Sequence, residues 1–182
     1  MDKQEKNIIE SLLFVSDGPL LIEQIANVLE GIEASVIREL LLGLVKEYQD
    51  NCRGMRIVEV AGGFQMVTNP DFAPQLKKYY KHKHAERLSG PSLETLAIVA
   101  YKQPVTRLDI ESIRGVNADG VIKHLLEKGL IRIVGRKEII GRPFVYGTTK
   151  QFLEYFGLNS TEELPNMQEF SSLVPVSERK EV

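Results

Sequence analysis

A mainly α chain with small β-hairpins, an α+β class, is what the sequence predicts, and three observations predict it. Apolar residues recur at helical spacing in most of the chain. In two places the period drops from 3.6 to 2 on either side of a turn or loop. The whole arrangement then repeats at an offset of 85 residues, the distance from Pro19 to Pro104. Helix, helix, helix, hairpin is the order of a winged helix. The expectation is therefore two tandem winged-helix domains and a tail without fixed structure.

Residues 4–16 fit a first helix, with Ile8, Ile9, Leu12, Leu13 and Val15 near helical spacing and Phe14 widening the apolar arc. Asp17-Gly18-Pro19 ends it, because proline cannot continue a hydrogen-bonded turn. Residues 21–29 form a second, shorter helix on Ile22, Ile25, Val28 and Leu29. A third runs over 34–48 with Val36, Ile37, Leu40, Leu41, Leu44, Val45 and Tyr48 in its stripe, and Leu42 falls off that stripe. Residues 55–60 then alternate as a strand, Ala61-Gly62-Gly63 turns, and 64–68 return. A further helix is expected over 71–80, with Phe72, Leu76 and Tyr79 or Tyr80 packing back. Residues 81–91 are polar, basic and end in Gly-Pro, the signature of a linker.

The repeat is carried by apolar positions of all three helices. Leu13, Phe14 and Val15 match Ile98, Val99 and Ala100, and Ile25 and Val28 match Ile110 and Ile113. Val36, Ile37, Leu40, Leu41 and Val45 match Val121, Ile122, Leu125, Leu126 and Leu130. One helix stripe aligns by chance at some offset; three at a single offset imply a shared fold. The second unit accordingly places helices over 92–101, 108–114 and 118–128, with Ser92 as an N-terminal cap and Gly115 and Gly129 as stops. Strands over 131–134 and 144–148 enclose a wing loop, 135–143, and Thr149 caps a last helix over 150–156. The predicted domains are thus 1–80, a linker 81–91, 92–157, and a Ser-, Glu- and Pro-containing flexible tail 158–182.

Composition narrows the class. Of 182 residues 43% are hydrophobic and 26% charged, which suits a globular chain. No apolar run reaches the length of a membrane span, and MDKQEKNIIE has no apolar core of a secretory signal. Cys52 is the only cysteine, which suits a reducing, cytoplasmic setting. The net charge is −2, spread as −4 over 1–80, +2 over 81–90, +3 over 91–149 and −3 beyond. A committed DNA binder carries a stronger basic field than this.

Nothing in the sequence points to chemistry. It holds no phosphate-binding loop, no dinucleotide fingerprint and no nucleophile elbow. Gly135 to Gly141 has five intervening residues and no Lys-Ser/Thr, so it is no nucleotide cradle. His82 and His84 lie in the linker without a carboxylate or thiol that would complete a metal site. His124 lies off its helix's apolar stripe, and Cys52 reads as an inert thiol. No cofactor, metal or catalytic residue is expected.

A winged helix that reads DNA sets its third helix in the major groove. Here that helix carries Arg38 and Lys46 against Glu33, Glu39, Glu47 and Asp50 in the first unit. In the second it carries Lys123, His124 and Lys128 against Asp119 and Glu127. Neither balance favours phosphate. The wing of the second unit is the exception, with Arg132, Arg136, Lys137 and Arg142 clustered. It leaves open a weak contact to DNA or an acidic partner, and a tandem winged-helix transcriptional regulator stands as the alternative function. Phe14 and Leu42, beside complete apolar stripes, suggest more apolar surface than the first unit buries, hence a symmetric dimer.

The second unit also resembles the bacterial segregation and condensation protein B family. The resemblance rests on Glu94 to Pro104, Ile113-Arg114-Gly115-Val116, Gly135-Arg136-Lys137, Gly141-Arg142-Pro143 and Tyr146-Gly147-Thr148-Thr149, with Leu12 to Pro19 similar to the family's opening. It implies two tandem winged helices, a homodimer through the N-terminal one, and no catalytic activity. It also implies binding to a kleisin, segregation and condensation protein A, and through it to the SMC ATPase. The setting implied is the nucleoid, in chromosome condensation and segregation. Kleisin contacts are expected at Tyr101, Arg114, Arg136 and Arg142, which are large or cationic, lie in the motif, and occur at helix ends or on the wing. Tyr146 reads as core.

Overall fold

The computed structural model describes residues 2–51, 53–80 and 87–165. Three helices, α1 (Asp2–Val15), α2 (Ile22–Val28) and α3 (Ala34–Asp50), precede a hairpin of β1 (Met55–Val60) and β2 (Gly63–Thr68). The hairpin register runs from Met55 opposite Thr68 to Val60 opposite Gly63. Ala61 and Gly62 both have positive φ, 51° and 76°, which is what a two-residue turn matched to the strand twist requires. A 3₁₀ turn, Pro70–Phe72, leads into α4 (Ala73–Tyr79). The expected packing of α4 is only partial. Leu76 is half-buried, whereas Phe72, Tyr79 and Tyr80 face solvent, Tyr79 at 79% exposure.

The second half repeats this order. It comprises α5 (Gly90–Lys102), β3 (Val105–Thr106), α6 (Arg107–Arg114), α7 (Asp119–Glu127), β4 (Ile131–Arg136), β5 (Phe144–Thr148) and α8 (Lys150–Phe156). Its sheet has the order β3-β5-β4, all antiparallel, with a bulge between Ile133 and Gly135. The short strand β3 was not expected, because two residues carry no period. The offset of 85 nevertheless contains it. Leu20 bridges Phe64 in the first half as Val105 pairs with Tyr146 in the second.

Local signals end the elements as their chemistry dictates. Gly115 closes α6 at φ 72°. At the end of α7, the Gly129 N–H donates to Leu126 and the Leu130 N–H to Leu125, with Gly129 at φ 65°. Thr149 accepts from the Phe152 N–H at the start of α8. The start of α5 differs from expectation. Ser89, not Ser92, is its cap, and Gly90-Pro91 form its first turn, where a missing proline N–H costs nothing. So the linker expected over 81–91 gives way to structure by Leu88, which is buried in the second core; residues 81–86 lie outside the described residues.

Two cores result. One gathers Ile9, Leu13, Ile25, Ile37, Leu41, Leu44, Tyr48, Ile57 and Phe64. The other gathers Leu96, Val99, Ile110, Ile122, Leu125, Ile131, Tyr146 and Phe152. Leu158 and Leu164 pack onto the second core, with a 3₁₀ turn at Thr161–Glu163 between them. The first eight residues of the expected tail are therefore structured, because these two leucines find apolar surface; residues 166–182 lie outside the described residues.

Candidate partner-binding surfaces

A groove runs between α5 and α8. Leu93, Leu96, Ala97, Ala100 and Tyr101 of α5 line it with Phe152 and Phe156 of α8, and Leu158, Leu164 and Pro165 complete the lining. Its volume is about 540 Å³ and its lining is apolar almost throughout. Leu93 and Phe156 keep 45% and 44% of their surface exposed, so the groove leaves large apolar groups open to water. Tyr101 stands at this groove, half-buried, and its hydroxyl donates to the Pro165 carbonyl at 2.7 Å.

Arg114, the last residue of α6, is placed differently. Its side chain is only 5% exposed, and Nε donates to Glu94 Oε2 of α5 at 3.0 Å. Its Nη1 is buried without a protein partner. Arg136 and Arg142 are brought together by the wing. Arg136 lies over the Phe144 ring, 4.0 Å from its centroid, and Nη1 donates to the Arg142 carbonyl at 3.1 Å. Arg142 is exposed at φ 39°, and Lys137 reaches Asp109 at 3.6 Å. Between these bases the wing projects Ile139 and Ile140, the latter fully exposed. Thus Arg136 and Arg142 share one surface, whereas Tyr101 belongs to the groove and Arg114 to the α5–α6 packing.

Asp109 also belongs to the frame under the wing. Thr106 donates to its Oδ2 through both hydroxyl (2.7 Å) and N–H (3.0 Å), and accepts from the Asp109 N–H in return. These bonds, first the hydroxyl and then the amide, hold the Asp109 carboxyl below the usual range, and Lys137 adds to the effect.

In the first half, Phe14 is 72% exposed and Leu42 48%, with Val15 beside Phe14 at 73%. Neither Phe14 nor Leu42 sits under the hairpin or α4. The bases of the third helices face carboxylates: Arg38 reaches Glu59 at 3.2 Å, and Lys123 reaches Glu127 at 3.9 Å. His124 is half-buried on α7, and Cys52, His82 and His84 lie outside the described residues. Among the described residues, no three His, Cys, Asp or Glu side chains gather where they could hold a metal ion. No described helix is long and apolar enough to cross a membrane.

The groove was not foreseen from sequence. Its residues alternate between core and surface on two helices some 50 positions apart. Phe152 and Phe156, four apart on a short helix, were the one local sign of a second apolar face.

This frame, three helices and a hairpin twice over with apolar and basic surfaces left open, defines a tandem winged-helix protein. The chain belongs to the segregation and condensation protein B family: residues 7–167 match the family model described as "Segregation and condensation complex subunit ScpB". The segregation and condensation protein B of Syntrophotalea carbinolica is 47% identical over 98% of this chain and 90% of its own length. That of Desulforamulus reducens is 47% identical over 92% of this chain and 91% of its own. Among solved structures, ScpB from Mycobacterium tuberculosis is 34% identical, covers 87% of this chain and 98% of its own, and overlays with a TM-score of 0.43.

Proposed function

We propose that this chain is a non-enzymatic, dimeric subunit that binds the kleisin of a bacterial SMC condensin-like complex and so supports chromosome condensation and segregation. The observation that carries the reading is the family match across residues 7–167. In this reading the kleisin is segregation and condensation protein A, the SMC ATPase is reached through it, and the setting is the cytoplasm, at the nucleoid. The N-terminal half, 1–80, serves dimerisation with Phe14 and Leu42 at the contact. The C-terminal half, 92–157, receives the kleisin near Tyr101, Arg114, Arg136 and Arg142.

The structure supports a protein partner over DNA on physical grounds. On the third helices, Arg38 and Lys123 face carboxylates rather than a free groove-reading face. Two of the four wing bases, Arg136 and Lys137, make contacts within the chain. Few bases remain to neutralise phosphate, and few phosphate contacts give little affinity for DNA at physiological salt.

The test sets a pull-down with the kleisin beside a gel shift, both at about 150 mM salt, where non-specific phosphate contacts are weak. Retention of the kleisin with no shifted band is expected. Tight, sequence-selective DNA binding without kleisin retention would overturn the reading in favour of a winged-helix regulator.

A further inference from the structure

The groove between α5 and α8 is led into by the chain itself. Leu158 and Leu164 pack onto the second core, Leu164 and Pro165 form part of the groove wall, and Tyr101 holds the Pro165 carbonyl. The backbone at residue 165 is thus fixed at the rim. The residues that follow are patterned to cover such a surface. Met167, Phe170 and Val174 fall at i, i+3 and i+7 with Leu173 beside them, while Gln168, Glu169 and Ser172 take the other side. Pro175 would end a helix there. Phe170 lies five residues past Pro165. That span reaches at most about 17 Å extended, and about 7.5 Å as helix. Either length keeps its ring within range of the groove.

We propose that residues 166–176 dock into this groove of their own chain, with Phe170 and Leu173 as anchors. A segment tethered at the rim is present at an effective concentration on the order of millimolar. It therefore fills the groove wherever its own intrinsic dissociation constant lies below about that concentration. A foreign chain using the groove must displace it, and its apparent affinity falls by the fraction of molecules in which the groove is filled. The proposal concerns the free chain and does not rest on the kleisin reading, although a kleisin that contacts Tyr101 would have to displace the segment, because Tyr101 lines the groove.

The test is a cross-linking rate on the full chain in a Cys52→Ser background. Ala97→Cys on the groove is paired with Ser171→Cys, and Lys123→Cys, 78% exposed on α7, serves as the control partner. With a short bismaleimide, intramolecular linkage at Ala97 should be about tenfold faster than at Lys123, reflecting a higher local concentration. Adding Phe170→Ser and Leu173→Ser should bring the Ala97 rate down to the control. Equal rates at both positions overturn the proposal and leave the groove to a foreign occupant. Linkage between two chains assigns it to a second copy instead. Hydrogen exchange of the native-cysteine chain provides a second reading. Protection over 93–101 and 152–158 should fall in the Phe170→Ser, Leu173→Ser variant, and unchanged protection also overturns the proposal.

Discussion

The Ala61 backbone N–H donates to the Leu158 carbonyl at 2.8 Å, tying the turn of the first hairpin to the chain just beyond the last helix. Gln65 Nε2 and Glu154 Oε1 meet beside it at 3.3 Å. This junction depends on a tight hairpin. A Cβ on Gly63 would lie 2.8 Å from the Leu20 carbonyl oxygen, in the bridge between Leu20 and Phe64. Gly63→Ala should therefore destabilise by about 2 kcal/mol, as overpacking against backbone does. At Gly62 a Cβ meets nothing, but φ is 76°. Gly62→Ala should cost about 1 kcal/mol from backbone strain alone. Urea denaturation of both variants checks the order.

The Thr106–Asp109 pair predicts an acid dependence. The folded carboxyl has a lowered pKa, so the unfolded chain binds the proton more readily and stability rises with pH through that range. The contribution is complete above the ordinary aspartate value of about 3.9 and is lost as pH falls through the lower, folded value. The stability gap between wild type and Asp109→Asn should accordingly hold steady from pH 7 down to about pH 4 and narrow only below that. Thr106→Ala, which removes the cap itself, should cost about 1 kcal/mol at neutral pH.

Arg114 and Glu94 form an unequal pair, one nearly buried and the other 56% exposed. Removing the exposed partner leaves a buried guanidinium without its acceptor. Glu94→Ala should cost about 2 kcal/mol, the scale of a hydrogen bond to a charged group. Arg114→Leu removes the buried charge along with its need for a partner and should cost less. Thermal melts of the two variants decide it, and the reverse order would place Arg114's worth in its packing rather than its charge.

Phe14 and Leu42 separate assembly from stability. Both are exposed in the single chain, so Phe14→Asp with Leu42→Asp should leave each chain's stability within about 0.5 kcal/mol per site. In sedimentation equilibrium at tens of micromolar, about the range in which a weak dimer still forms, wild type should be dimeric and the double variant monomeric. A monomeric wild type would end the dimer proposal.

The wing offers a fifth contrast. Arg136→Glu with Arg142→Glu should reduce kleisin retention about tenfold, a change on the scale of one or two lost charge contacts. Losing the stack of Arg136 on Phe144 should cost the fold only about 0.5–1 kcal/mol. Wild-type retention by that variant would move the partner's contact off the wing.

Elements with a period were legible in the sequence. The stripe of α3, the alternation of β1, and the glycine stops at 115 and 129 are local patterns with local causes. What escaped was set by packing between distant segments. Val105–Thr106 is a strand only because Tyr146 and Val145 lie opposite it. Ser89 caps α5 because the helix begins before its first apolar residue, and Leu158 and Leu164 leave the expected tail because α5 and α8 offer them a surface. The candidate surfaces divide the same way. Phe14 and Leu42 stand out as surplus on a stripe, while the groove at Tyr101 exists only once two helices have met.

The two cores share no buried residue, and this has a consequence for biogenesis. The first closes from residues 9 to 64, all translated before the second core's first member, Leu88. At about 5–20 residues per second the ribosome gives that first half several seconds alone before α8 emerges. The early half can thus mature during synthesis without waiting for the late one, and the bond from Ala61 to Leu158 is a contact that only the finished chain can make.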